Sequence, residues 1–281
     1  MKDEAAIVCS RADPASLNIA NRLLELEAWE DRDGYKSCGS WRMVIHDEKQ
    51  TTLRGLDACL EDLGLRPKMV VIACRHESKE GLPWFGGHFT GVFGDGKHEL
   101  SAAAPLGLRS FLHKIRKFAP KGFRISAEAT HHGPTDIKTP AFFAEIGSSE
   151  QQWRDPLAGE AAAKAILAME TEDMPVFLGF GGGHYVQRQT ELLFENDIAF
   201  GHLFSSYQVG SLDLETVDDA RFKSRAGFAY LDRKSLRSDE RKRIAGFLND
   251  LGIPLMKGRE IRSQFPTHAP ADPKNFRVMR L

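Results

Sequence analysis

Met69-Val70-Val71-Ile72-Ala73-Cys74 is an unbroken apolar run that opens directly onto Arg75-His76-Glu77-Ser78. The run suits a strand, and a strand that is apolar at every position is one buried on both faces, the mark of a parallel sheet. The same grammar recurs on either side of it. Upstream, Ala5–Cys9 reads as a short apolar strand. Asp13-Pro14 then supplies an N-cap and a proline at the first helical position. Leu17, Ala20, Leu23 and Leu24 fall on one face of the helix that follows. Trp41–His46 reads as a strand, and Leu53, Leu56, Leu60 and Leu63 mark a helix stopped at Gly64.

Downstream, Leu108, Phe111, Leu112 and Ile115 mark a helix, and Phe123–Thr130 is strand-like. Phe142–Ile146, Val176–Phe180, Ile198–Phe200, Phe228–Leu231 and Ile253–Met256 are further strand candidates. Helices are expected over Asp155–Met169, Leu214–Ala226 and Ser238–Leu251. This alternation predicts an α/β fold around a mostly parallel or mixed central sheet. Residues 1–258 read as one α/β domain, with room for a smaller subdomain. Residues 259–281 read as a polar tail containing Pro266, Pro270 and Pro273, expected to pack poorly.

Sheets of this class bind ligands outside the carboxyl ends of their strands. That is where the histidines gather in this reading. The densest segment is Glu128-Ala129-Thr130-His131-His132-Gly133-Pro134. The others are Arg75-His76-Glu77-Ser78, Gly86-Gly87-His88-Phe89-Thr90-Gly91, Gly181-Gly182-Gly183-His184-Tyr185 and Gly201-His202. Imidazole serves as metal ligand, base or acid near neutral pH, and glycine lets a ligand approach the backbone. So many such segments in one chain are expected to converge on one site.

His76, His88, His131, His184 and His202, with Glu145, form the candidate metal set, although His202 reads equally well as a core imidazole. On an extended segment alternate side chains share a face. Glu128 would then lie beside Thr130 and His132, which makes His132 the candidate base or orienter, assisted by Glu128 and Thr90. Gly181, Gly182 and Gly183 could cradle an anion with backbone N–H groups, and Tyr185 and Ser78 join them as candidate substrate contacts. His46, His98, His113 and His268 lack such settings and read as surface or structural.

The sequence contains no HExxH helix, P-loop, GxSxG elbow or deaminase signature. Several histidines with few carboxylates and no cysteine pair fit Zn²⁺ with an open position. A metal-bound water would then be the nucleophile. The four cysteines show no CxxC spacing, so no disulfide framework is implied. No secretion signal or membrane-length apolar run is present, so a cytoplasmic location is expected, with no membrane partner. Net charge is −1, so a nucleic-acid partner would need a local basic patch. Lys114, Arg116, Lys117 and Lys121 form one such patch, able to grip a structured RNA. Arg233, Lys234, Arg237, Arg241, Lys242 and Arg243 form the alternative. No DNA partner is expected.

Ser10…Asp13…Ser16-Leu17-Asn18-Ile19, Arg75-His76-Glu77-Ser78, His88-Phe89-Thr90-Gly91 and the EATHHGPT run from Glu128 together resemble the archaeal- and plant-type D-aminoacyl-tRNA deacylases. The resemblance continues through Glu145-Ile146-Gly147-Ser148-Ser149-Glu150…Trp153, Gly181–Tyr185…Gln189-Thr190 and Ala199-Phe200-Gly201-His202, in unbroken order to about Gly258. Val92 departs from it, standing where the family pattern has Asn, which removes any polar role there. The resemblance implies hydrolysis of the ester between a D-amino acid and the 3′ end of tRNA. It also implies a three-layer fold similar to phosphorylases and peptidyl-tRNA hydrolases, two Zn²⁺ per chain, and a D-aminoacyl-tRNA substrate met by a monomer. Two readings compete with it: a zinc aminopeptidase or amidohydrolase, and a non-catalytic tRNA-binding protein.

Overall fold

The computed structural model describes residues 5–94 and 97–267. The chain begins with β1 (Ala5–Ser10), α1 (Pro14–Leu26), β2 (Glu30–Arg32), β3 (Tyr35–Cys38), β4 (Trp41–His46) and α2 (Leu56–Asp62). The apolar run then forms β5 (Met69–Glu77), followed by β6 (Trp84–His88), β7 (Gly91–Gly94), β8 (Lys97–Leu100), α3 (Pro105–Phe118), β9 (Arg124–Ala127) and β10 (Ala141–Ser148). Next come α4 (Glu150–Trp153), α5 (Pro156–Leu167), β11 (Val176–Phe180), α6 (Gln187–Glu195), β12 (Ala199–Phe204) and α7 (Ser206–Val209). The last elements are α8 (Leu214–Ser224), β13 (Phe228–Leu231), α9 (Ser238–Asp250), β14 (Leu255–Met256) and α10 (Gly258–Gln264).

The larger sheet is mixed, in the order β2-β3-β4-β1-β5-β10-β6-β9. Its centre is parallel: β4, β1, β5 and β10 run the same way. Beyond β10 the direction reverses, because β6 pairs antiparallel with it and β9 follows β6 in parallel. Alternate residues of the central strands serve different layers. Ile7, Cys9, Val71 and Ala73 pack among residues of α1, α3 and α5. Ala6, Val8, Val70 and Ile72 pack against Leu56 and Leu60 of α2 and against Ile137. Two helical layers thus enclose the sheet, the three-layer arrangement expected.

A second, wholly parallel sheet runs β12-β11-β13-β14. Leu178 and Phe180 of β11 pack with Val217, Ala220, Ile244 and Leu248 of α8 and α9. Phe177, on the opposite face, belongs with Leu192, Leu193, Phe200 and Ile261 to the same core as the large sheet. Among the described residues no helix is long and apolar enough to cross a membrane.

Asp13 caps α1 as expected, its carboxylate accepting from Ala15 N and Ser16 N at 2.9 Å each. The buried face of α1 is set by Ala15, Ile19, Ala20 and Leu23, with Leu17 and Leu24 only half-buried at its flanks. Leu53 precedes α2, which starts after Gly55 in the left-handed region. The segment containing Gly86, Gly87 and His88 is strand β6 rather than a loop. Its glycines serve close packing: a Cβ on Gly87 would lie 2.2 Å from Phe143 O, and one on Gly86 would lie 2.0 Å from the Trp84 ring. The expected loose tail is corrected in its first part. Gly258–Gln264 forms α10 with Ile261 fully buried, and Phe265 stands edge-on to Phe177 and Phe228. Residues 268–281, including His268, Pro270 and Pro273, lie outside the described residues.

Candidate active site

Neighbouring strands of the large sheet bring the site together. β5 carries His76 near its carboxyl end, and β10 carries Glu145. β6 ends at His88, opposite Phe143, and Glu128 follows β9 with its N–H bonded to Gly87 O. His184 arrives from the second sheet, in the loop after β11. One glycine permits the central contact. Gly147 sits opposite His76 in the β5–β10 register, and a Cβ there would lie 2.9 Å from the His76 ring. Without that Cβ the ring can lie across β10 towards Glu145. The Trp84 ring packs against it at 4.3 Å between centroids, tilted by 45°. Trp153 Nε1 donates to His76 O at 2.8 Å, and Tyr185 Oη lies 3.1 Å from His76 Nε2.

Glu128 is fully buried and Glu145 nearly so. His184 Nε2 lies 2.6 Å and His76 Nδ1 3.2 Å from Glu128, and His131 Nε2 lies 3.6 Å away. Glu145 is 3.5 Å from His76 Nδ1 and 3.4 Å from His88 Nε2. These are ion-pair distances, but both Glu128 oxygens, Glu145 Oε2 and His88 Nε2 lack any partner in hydrogen-bond geometry. Buried polar atoms are almost always bonded, so an unpartnered group of this size points to a bound cation. Burial alone would push His76 down, yet Glu128 and Glu145 hold it up at about 11. Burial and Glu128 push Glu145 up, but His88 and His76 outweigh them and bring it to about 2. Burial and the neighbouring His88 lower His131 to about 3 and His132 to about 4.

Ring orientation adds a second indication. Nδ1 of His131 lies 2.8 Å from Ala129 O, and Nδ1 of His132 lies 2.6 Å from Gly133 O. Carbonyls only accept, so each Nδ1 carries the proton and each Nε2 keeps its lone pair. His88 Nδ1 makes the same kind of contact with Phe89 O at 3.0 Å. A backbone carbonyl fixing one ring nitrogen so that the other can ligate is the usual support of a metal-binding histidine. Among the described residues three overlapping groups, His88-His131-His132, His76-Glu128-His184 and His88-Glu128-Glu145, each bring three ligand atoms within 4.8 Å of one another. A cleft of about 360 Å³ opens beside them, lined by His76, His131, His132, His184 and Glu145 together with Asp13, Lys49 and Arg75.

His76, His88, Glu128, His131, His132, Glu145 and His184 therefore meet as the sequence predicted. The expected alternation of side chains does not hold past Ala127, where the regular strand ends, and His132 takes φ 39°. Glu128 faces His131 rather than His132, and Thr130 faces His202. A positive φ on histidine is uncommon, and such residues cluster at functional sites.

His202 is not in the group. It lies inside β12, fully buried, with Nε2 donating to Ser101 O at 3.0 Å and Nδ1 accepting from the Thr130 hydroxyl at 3.1 Å. With both ring nitrogens bonded, no lone pair is left for a metal. Thr90 is equally committed, its hydroxyl donating to Pro134 O and paired with Ser101 Oγ. Ser78 closes the turn after β5, where its carbonyl accepts from Gly81 N, and it does not line the cleft. Gly181 and Gly182 take φ near +90° as a tight turn requires, but Gly182 N is bonded to Ser235 Oγ. Tyr185 reaches His76. His46, His98 and His113 are held by Gln50, Ser211 O and Leu193 O. Of the α3 basic group, Lys114 is paired with Glu170 at 2.6 Å and Arg116 stacks over Phe194 at 4.5 Å, while Lys117 and Lys121 are exposed. Trp84, Gly147, Lys49 and Arg75 were not among the expected site residues. Their roles depend on which strands are neighbours, and no local pattern records that.

Burial lowers His202 to about 4. It stays neutral in the fold down to that pH, whereas in the unfolded chain it takes a proton near 6.5. Between those values the unfolded state binds more protons, so stability falls as pH falls from about 6.5 to 4. At about 1.4 kcal/mol per pH unit, the loss attributable to His202 is on the order of 3 kcal/mol. Urea unfolding from pH 7 to 4.5 should show it, with a shallower profile for His202→Asn. Parallel profiles for the two proteins would refute the assignment.

Fold and site together define an α/β protein with a buried imidazole–carboxylate centre beneath an open cleft. A family model described as D-aminoacyl-tRNA deacylase matches residues 63–256. Proteins of that name from Methanothrix thermoacetophila and Methanosarcina barkeri are 49% and 41% identical over 264 and 278 residues. Each alignment covers 92% of this chain, and 99% and 91% of the relatives. The crystal structure of a conserved protein of unknown function is similar at a TM-score of 0.87 and 29% identity, covering 94% of this chain and 99% of that one. The chain belongs to the D-aminoacyl-tRNA deacylase family.

Proposed function

We propose that the protein hydrolyses the ester between a D-amino acid and the 3′ end of tRNA, and that divalent cations, zinc by ligand type, sit among its buried imidazoles and carboxylates. The observation that carries this reading is the buried Glu128–Glu145 pair, ringed by histidines beside the cleft, with three of its four carboxylate oxygens lacking a hydrogen bond. His76, Glu128 and His184 would hold one ion, and His88 and His131, beside Glu145, a second. The count of two is what the family resemblance implies, and nitrogen-rich sites with few carboxylates suit zinc. When bound, such an ion polarises a carbonyl and lowers the pKa of water.

The chain's own residues supply the rest. His132 lines the cleft with its Nδ1 proton held on Gly133 O. Its Nε2 is thereby kept as an acceptor and takes the proton of the attacking water. Tyr185 and Trp84 fix the His76 ring. Lys49 and Arg75 also line the cleft, where they would meet the phosphate of the terminal nucleotide. Tyr207, 85% exposed, lies just after Ser206, whose N–H is bonded to Gly182 O. It offers an aromatic face on which an unpaired base can stack. The reading implies a cytosolic enzyme acting as a monomer.

The test is D-Tyr-tRNA against L-Tyr-tRNA, assayed side by side. Rapid release of D-Tyr with L-Tyr-tRNA spared is the expected result. Release of neither, with tRNA bound tightly, would favour a pure binding protein. Cleavage of small peptides in preference to both esters would favour the peptidase reading.

A further inference from the structure

A second cavity, of about 490 Å³, lies between α9 and the β13–β14 edge. Arg188, Arg233, Lys234, Arg241, Lys242 and Lys257 line it, and among the described residues no Asp or Glu does. Arg188 is paired with buried Asp232 at 3.3 Å, and Lys257 lies 3.7 Å from Glu260. Arg241 donates to a carbonyl, Arg233 O, at 2.8 Å. Arg233, Lys234 and Lys242 are exposed, and no ion pair to a carboxylate is seen for them among the described residues. So many like charges in one concavity raise the local potential, which favours a polyanion.

The position of this cavity matters more than its charge. β13 runs parallel to β11 with Leu231 beside Phe180, and Asp232 N donates to Phe180 O at 2.8 Å. Arg233 and Lys234 therefore leave the second sheet at the same end as the Gly181–His184 loop. The two loops are joined by the Gly182 N to Ser235 Oγ bond of 2.6 Å. Two residues further along, His184 reaches Glu128. Arg188 lies in the first turn of α6, directly after that loop. One short loop thus links the basic cavity to the cleft.

We propose that this cavity takes phosphates of the tRNA strand that ends in the aminoacyl ester, anchoring the nucleic acid beside the cleft. The inference rests on the deacylase reading above, and it assigns the grip to this surface instead of the α3 group. There Lys114 and Arg116 already have partners.

The test measures binding of deacylated tRNA across a salt series, which involves no chemistry, and separately the hydrolysis of D-aminoacyl-adenosine, which has no phosphate. The variant combines Arg233→Ala, Lys234→Ala and Lys242→Ala. Its Kd for tRNA should rise about tenfold or more, and the slope of log K against log salt should flatten by about two to three, one phosphate contact per cation. Turnover of D-aminoacyl-adenosine should be unchanged, which also shows that the variant is folded. Lys114→Ala with Lys117→Ala and Lys121→Ala should leave Kd and slope at wild-type values. Unchanged Kd and slope in the first variant, or their loss in the second instead, would overturn the proposal. If the wild type binds tRNA through the cavity but hydrolyses neither ester, the deacylase reading fails while the binding surface stands.

Discussion

Exhaustive chelation is expected to cut D-aminoacyl-tRNA hydrolysis by about 10³ or more, since water's pKa would return from near 7 towards 15.7. Elemental analysis of the protein as purified should find zinc, and readdition should restore turnover. The expectation comes from the donors. The oxygens of Glu128 and Glu145 Oε2 are buried without hydrogen bonds, and the Nδ1 atoms of His131 and His132 are tied to carbonyls. A purely structural cluster would be expected to satisfy its polar atoms internally, because leaving one unmade costs about 1–3 kcal/mol. Full turnover in protein shown to be free of metal would end the metal reading. Participation of the 2′-OH of the terminal adenosine would then be the better mechanism.

The parts of the fold that bury apolar surface were legible in the sequence, because burial writes itself into local pattern. Met69–Cys74, Trp41–His46, Val176–Phe180 and Phe228–Leu231 all fall within the strands they predict. The β2–β3 hairpin was not legible, since its first strand, Glu30–Arg32, is wholly exposed and carries no apolar alternation. Asp13 could be read as an N-cap, but its other oxygen accepts from Arg75 N at 3.0 Å and so ties the end of β1 to β5. Nothing local encodes that bond. The glycines beside His88 looked like room for a ligand and are instead room for neighbouring strands and Trp84. Residue type sufficed to gather the histidines and both glutamates. Separating His202 from them required knowing that Ser101 and Thr130 occupy its two nitrogens.

Glu128→Gln should abolish most activity while weakening the fold only modestly, and this pairing of outcomes is what separates a functional carboxylate from a structural one. The substitution keeps the shape and removes the charge. Activity should fall by about 10²–10⁴, as for loss of a group essential to proton transfer, and metal content should fall with it. Stability is decided by a different balance. Burial opposes the Glu128 carboxylate, while His76, His184 and His131 hold its pKa well below the usual range. Breaking a tight buried ion pair ordinarily costs about 3–5 kcal/mol, because the abandoned partner stays charged and buried. Here His76 still has Glu145 at 3.5 Å, and His184 is 42% exposed and can turn to water. Neither is stranded. Relief from a buried charge then offsets part of the lost attraction, which the depressed pKa marks as the larger of the two. The metal-free variant should stay folded but melt modestly below the metal-free wild type, and it should gain less stability from added zinc. A fall of several kcal/mol in the metal-free variant, with activity tracking the folded fraction, would make Glu128 a structural residue. Wild-type turnover in a folded variant would move the site away from this cluster.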